Sequence, residues 1–178
     1  MISVVLCAMM AKDLPTSPIN LTGGLTTTGK PAVFSMAKSK ATVLIFIATD
    51  CPIANRYAPE ISRISRAYAN KGMSFYRVYV TKSAKNVLQH GREFKLTLPP
   101  ILDPNRALVK STGVRVTPEV AVMNSKGILV YRGRIDDQNV EHGVIRRDYR
   151  RDLRKALDEV LAGKPVSMPE ATAIGCYL

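Results

Sequence analysis

Cys51 is the residue of this chain best placed for covalent chemistry. It stands in Asp50-Cys51-Pro52, between an uncharged run rich in β-branched residues, Ala41 to Thr49, and a segment in which Tyr57, Ile61, Ile64 and Tyr68 recur at helical spacing. The first run reads as a central strand buried on both faces. The second is the apolar stripe of an amphipathic helix. A cysteine at such a junction meets the unpartnered N–H groups of a first helical turn and the positive end of the macrodipole. Both favour the thiolate, which is the nucleophilic form, and so lower the pKa from its usual value of about 8.5. Asp50 opposes that effect, and Arg56 is a candidate to offset it. The alternative is that Cys51 is simply a small buried hydrophobe, the common state of a free cysteine. The junction by itself leaves both readings open.

Two further cysteines, Cys7 and Cys176, make an odd total of three, compatible with one disulfide and a free thiol or with three thiols. Cys176 lies in an apolar ending, Ala173 to Leu178, that is expected to dock rather than extend into solvent. About twelve residues separate it from the helix end near Gly163, and at roughly 3.3 Å per extended residue that tail can cross a domain of this size. Cys176 is therefore a candidate resolving partner for Cys51, with a Cys7–Cys176 pair or an unpaired Cys176 as alternatives. Asp136, Asp137, Glu141 and His142 form a small cluster that resembles a metal site, but no second histidine stands at ligand spacing and a surface loop is expected there. We expect no metal and no cofactor.

The elements around Cys51 imply one α/β domain. Met73 to Thr81 reads as a second central strand, so strand, helix and strand make a βαβ unit. Lys82 to Lys95 carries a weaker helical pattern through Ala84, Val87, Leu88 and Phe94, and Ala107 to Val109 a brief helix. Glu119 to Met123 and Ile128 to Arg132, joined at Asn124 to Gly127, are expected to pair antiparallel. A charged helix begins at Asp148 with Leu153, Leu157, Val160 and Leu161 as its stripe, and Gly163 and Pro165 end it. The expected division is a lead-in over 1–29, the domain over 30–162 and a docking tail over 163–178.

The chain of 178 residues is 46% hydrophobic and 22% charged, an ordinary globular composition. Its net charge of +12 favours acidic partners or surfaces, but the basic residues are scattered and no nucleic-acid-binding motif accompanies them. No nucleic-acid partner is expected. Ile2 to Met10 is apolar but too short to span a bilayer, which takes about 20 residues. It reads as the end of a secretory signal or as a short strand, and we lean towards an exported protein.

The ordered set of segments resembles the thioredoxin-like superfamily. Cys51-Pro52 after a strand, with Pro59 in the following helix, is similar to that family's active-site segment. Gly113-Val114-Arg115-Val116-Thr117-Pro118 resembles its second signature, and Asn124 to Gly133 the hairpin that completes its sheet. The resemblance implies a central mixed sheet flanked by helices and a cis Pro118 facing the sulfur. It also implies that the Val116 to Thr117 backbone is free to pair with an extended substrate chain. The motifs depart from the common branches: Ala54 replaces the second cysteine of C-x-x-C, Asn55 that of the copper-chaperone C-x-x-x-C, and Leu44 and Ala48 the Pro and Thr of peroxiredoxins. The stretch CPIANRYAPE is most similar to the redoxin group, described as alkyl hydroperoxide reductase and thiol-specific antioxidant-like. What this implies is a thiol oxidoreductase in which Cys51 attacks a protein disulfide or a peroxide, with Thr117 and Pro118 beside it, Pro52 and Arg56 in support and an external thiol as reductant. A redox-inactive binding module and a copper chaperone remain the alternatives.

Overall fold

Ala41–Phe46 forms β1, with every residue buried. Its alternation divides the interior: Val43 and Ile45 belong to one apolar cluster, Leu44 and Phe46 to another on the opposite face. The computed structural model describes residues 14–141 and 143–178, so Cys7, with the apolar run around it, and His142 lie outside the described residues. After β1 come α1 (Pro52–Ala69), β2 (Met73–Tyr79), α2 (Ala84–Glu93), β3 (Pro100–Leu102) and α3 (Ala107–Thr112). Then follow β4 (Val116–Thr117), β5 (Glu119–Asn124), β6 (Leu129–Gly133), β7 (Asn139–Glu141), β8 (Val144–Ile145), α4 (Asp152–Leu161), β9 (Glu170–Ala171) and β10 (Cys176–Tyr177). The main sheet has the order β3-β2-β1-β5-β6-β9 and is mixed: β1, β2 and β3 run parallel, whereas β5 runs antiparallel to both its neighbours, β1 and β6.

One face of this sheet is covered by α1 and α4, through Ile53, Tyr57, Ile61, Ile64, Leu153 and Leu157. The other is covered by α3 and the lead-in, through Leu108, Leu21 and Phe34. Each fully buried leucine or isoleucine of this kind contributes roughly 1.5–3 kcal/mol of transfer free energy. The tail returns to the molecule twice, as β9 beside β6 and as β10 against β4. No described helix is long and apolar enough to cross a membrane.

Several boundaries differ from the sequence reading, each for a local reason. β1 stops at Phe46 rather than Thr49, because the chain turns there to start α1, although Ile47 N–H still donates to Val78 O at 3.0 Å. The stripe expected in α2 is displaced: Leu88 is exposed, and His90 and Gly91 are buried beside Val87. His90 can occupy that face because its ring nitrogens are both hydrogen-bonded. α4 starts at Asp152 rather than Asp148, because Asp137 pairs with Arg150 through both backbone directions, N–H to Arg150 O and carboxylate to Arg150 N–H. Asp136 and Asp137, expected on a surface loop, are 6% and 3% exposed. Asp137 accepts hydrogen bonds from Arg146 and Arg150, with Arg134 at 4.0 Å, and these cations hold its carboxyl below its ordinary range against a desolvation cost.

Candidate active site

Cys51 is the N-cap of α1, and Pro52 opens the helix where its missing N–H costs nothing. The turn into this helix is held from below by Asn55. Its amide donates to Thr49 O at 3.2 Å, and its carbonyl accepts from His90 Nε2 at 2.8 Å. Since Nε2 donates, Nδ1 is the acceptor for the Tyr79 hydroxyl at 2.8 Å, and Arg77 Nη1 in turn donates to that hydroxyl at 3.3 Å. All four side chains thus form one directed chain from the sheet to the Cys51 turn. Burial and the Arg77 charge push the His90 imidazole below its ordinary pKa, in keeping with a neutral ring at this position. The sequence offered no periodic signal for these partners, since Asn55 and His90 lie 35 positions apart.

Across from the cysteine, β4 presents Thr117, and the Thr117–Pro118 peptide bond is cis. The Cys51 thiol donates to Thr117 O at 3.1 Å. The Thr117 hydroxyl lies beside the same sulfur and has no nitrogen or oxygen partner. The approach to β4 is fixed by Glu119, 2% exposed, whose Oε2 accepts the Arg115 and Val116 N–H groups at 2.6 and 3.2 Å. Removing a buried acceptor of two amides leaves both unsatisfied, at about 1–3 kcal/mol. We therefore expect Glu119→Ala to lower unfolding free energy by roughly 2 kcal/mol or more, read in urea at constant m-value. A loss below about 0.5 kcal/mol would show that solvent replaces the carboxylate there.

The third side of the site is β10. It pairs antiparallel with β4 in the register Cys176 to Thr117 and Tyr177 to Val116, and Leu178 N–H donates to Arg115 O at 3.0 Å. Gly175 is packed so closely on β4 that a Cβ there would overlap the Thr117 carbonyl. The tail thus docks through its backbone, through Gly175 and through Cys176 and Leu178, which pack on the two apolar clusters; the Tyr177 side chain, expected to help anchor it, is 91% exposed. Cys51 and Cys176 are both free thiols, and they meet at Thr117: Cys176 is its strand partner, and its carbonyl accepts from the Cys51 thiol.

This contact separates their proton affinities. Burial pushes the Cys51 thiol up, but hydrogen bonds to its sulfur from Cys176, from the Thr117 side chain and from the Ala54 and Cys176 N–H groups outweigh it, and the net shift is downward. Cys176 is pushed up to about 11 by burial, by its hydrogen bond to Cys51 and by the negative charges of Cys51 and Asp50. Of the two, Cys51 is the thiol that ionises first, and Cys176 is the one that keeps its proton. Cys51 is 1% exposed, with the second thiol beside it.

The structure therefore brings Cys51, Thr117, Pro118 and Cys176 together, with Pro52 at the helix start. It does not bring Arg56 to the sulfur: its guanidinium is turned to Asn139 Oδ1 at 3.5 Å. Asp136 and Asp137 belong to a separate polar cluster in which the Tyr57 hydroxyl donates to Asp136, and among the described residues no three His, Cys, Asp or Glu side chains group as metal ligands.

Known proteins give a consistent picture. The Redoxin family model matches residues 14–148. Among solved structures, an uncharacterized conserved protein from Geobacillus kaustophilus is 26% identical, with 93% of this chain and 92% of that one covered at a TM-score of 0.78. A hypothetical protein from Sinorhizobium meliloti is 22% identical over 93% and 94% of the two chains, at 0.79. A secreted Mycobacterium tuberculosis disulfide oxidoreductase, described as homologous to DsbE of E. coli, is 20% identical over 61% and 78%, at 0.51. No curated protein matches. With its mixed sheet, its Cys-Pro helix start and this match over most of its length, the chain belongs to the Redoxin family and has a thioredoxin-like fold.

Proposed function

We propose that this protein is a thiol–disulfide oxidoreductase that reduces protein disulfides, with Cys51 as nucleophile and Cys176 as resolving thiol. The observation that carries this reading is the meeting of two free cysteines at Thr117, Cys51 from the start of a helix and Cys176 from the strand paired with β4. The Cys51 thiolate attacks one sulfur of the substrate disulfide, forming a mixed disulfide while the other sulfur leaves as thiolate. Cys176 then attacks Cys51 Sγ, forming Cys51–Cys176 and releasing the second substrate sulfur. The substrate gains two electrons and the protein loses two, which an external thiol restores. Cys176 becomes easier to ionise at the right moment: once Cys51 is in a neutral mixed disulfide, its charge and its hydrogen-bond demand no longer hold the Cys176 proton.

The low exposure of Cys51 supports a second reading, peroxide reduction, because a small oxidant passes where a polypeptide does not. In that case the thiolate attacks one peroxide oxygen, the O–O bond breaks with the other oxygen leaving as water or an alcohol, and Cys176 condenses with the resulting sulfenic acid to a disulfide and a molecule of water. The likeness to a secreted disulfide oxidoreductase supports export as the working compartment, and cell fractionation tests it.

Alkylation with iodoacetamide against pH tests the redox reading against a scaffold retained only for binding. The rate rises with the thiolate fraction, so a lowered Cys51 pKa puts the midpoint below the ordinary value of about 8.5. A Cys51 that stays unreactive up to about pH 9 would favour the scaffold.

A further inference from the structure

We infer that the segment Gly175–Leu178 is a resident, substrate-like occupant of the β4 edge on which an extended substrate chain would lie, and that this edge selects a polypeptide carrying glycine immediately before its half-cystine. This deepens the reading of Cys51 as nucleophile and rests on it. The tail already shows how such a chain sits: antiparallel to Val116–Thr117, with Cys176 opposite Thr117, the residue whose carbonyl accepts from the Cys51 thiol. Main-chain hydrogen bonds of this strand-addition kind accept many sequences, and selectivity then comes from the few places where a side chain cannot fit. Here that place is Gly175, where a Cβ would come within 2.7 Å of the Thr117 carbonyl carbon and closer still to its oxygen. The atoms in the way are backbone, held in turn by Glu119 on the preceding amides, so they do not swing aside. The next position is permissive, because Tyr177 points to solvent.

A consequence concerns the order of events. Tail and substrate use the same edge, so the tail leaves for the substrate cysteine to take the Cys176 position. Its return forms the Cys51–Cys176 bond and at the same time expels the reduced chain. Resolution and product release are then one movement. Electrons balance as in the exchange above, with the substrate disulfide reduced to two thiols and the protein dithiol oxidised.

Two measurements test this on the full chain. In the first, the reduced protein is given two disulfide-linked peptide dimers, Ala-Ile-Gly-Cys-Tyr-Leu and Ala-Ile-Val-Cys-Tyr-Leu. We expect the glycine peptide to be reduced about tenfold faster or more, the equivalent of about 1.4 kcal/mol of misfit. In the second, binding of fluorescein-labelled Ala-Ile-Gly-Ser-Tyr-Leu, which cannot react, is followed by anisotropy with wild type and Gly175→Val. The variant vacates the edge, so it binds the peptide about tenfold tighter than wild type, where the tethered tail competes at high effective concentration. Equal reduction of both dimers together with equal peptide binding by both proteins would overturn the docking proposal while leaving the redox function standing. If neither dimer is reduced but the serine peptide still prefers Gly175→Val, the docking strand stands and the redox function fails. The first measurement needs no variant, so misfolding of Gly175→Val cannot decide the outcome alone.

Discussion

Cys51→Ser is expected to reduce disulfide- and peroxide-reducing activity to the uncatalysed rate while leaving the fold in place. The loss should be complete because no other described thiol can take over. With Cys51 gone, burial and the charge of Asp50 still hold the Cys176 thiol up, and Cys176 has no helix start behind it. A serine hydroxyl at the N-cap stays protonated at neutral pH and is a poor nucleophile without an adjacent base. Among the described side chains named at the sulfur there is none: Thr117 supplies a hydroxyl and a carbonyl, and His90 is turned to Asn55 and Tyr79. Structurally the change is mild. Serine can keep the donation to Thr117 O and is a favoured N-cap residue, so unfolding free energy should move by no more than about 1 kcal/mol. The measurement is steady-state reduction of a peptide disulfide and of hydrogen peroxide, alongside a denaturation curve. Activity that survives in a folded Cys51→Ser protein would remove Cys51 from the chemistry.

Much of the frame around this residue could be read from the chain because it depends on short-range pattern. An uncharged β-branched run, a proline after the cysteine and a stripe from Tyr57 to Tyr68 are local signals, and they place Cys51 at a helix start without tertiary information. The polar supports could not be read in this way. Asn55 meets His90 only because α2 packs its buried face on the start of α1, and the polar partners of His90 replace the apolar stripe that Leu88 suggested. Glu119 reads as an ordinary exposed start to a strand, yet its carboxylate folds back on the amides of Arg115 and Val116. The Asp136–Asp137 pair reads as a loop because its arginine partners, Arg134, Arg146 and Arg150, gather from both sides of a hairpin. The tail is intermediate: its apolar content indicated docking, which Cys176 and Leu178 provide in part, but its register on β4 is set by backbone pairing and by a glycine, which carry no hydrophobic signal.

Replacing Cys176 separates its two roles, and the choice of replacement matters. Cys176→Ala removes both the resolving sulfur and the S–H that donates to Cys51, whereas Cys176→Ser removes the sulfur and keeps a hydroxyl donor. Both variants should stop after a single exchange with a peptide disulfide, one mixed disulfide per Cys51, and release of the second peptide thiol in a single turnover without added thiol should slow by about a hundredfold or more. The pH profiles should differ. The Cys51 thiolate loses the donor at position 176 in Cys176→Ala, so its alkylation midpoint moves upward. In Cys176→Ser the midpoint should remain close to wild type. Because the rate follows the thiolate fraction, the alanine variant is slower below its midpoint and equal to wild type well above it. Peptide mapping of the oxidised wild-type protein provides the covalent counterpart, with a Cys51–Cys176 linked peptide as the expected product. Undiminished release of the second peptide thiol in both variants would show that Cys176 is not the resolving thiol, and coincident pH profiles in all three proteins would show that the Cys176 thiol does not stabilise the thiolate.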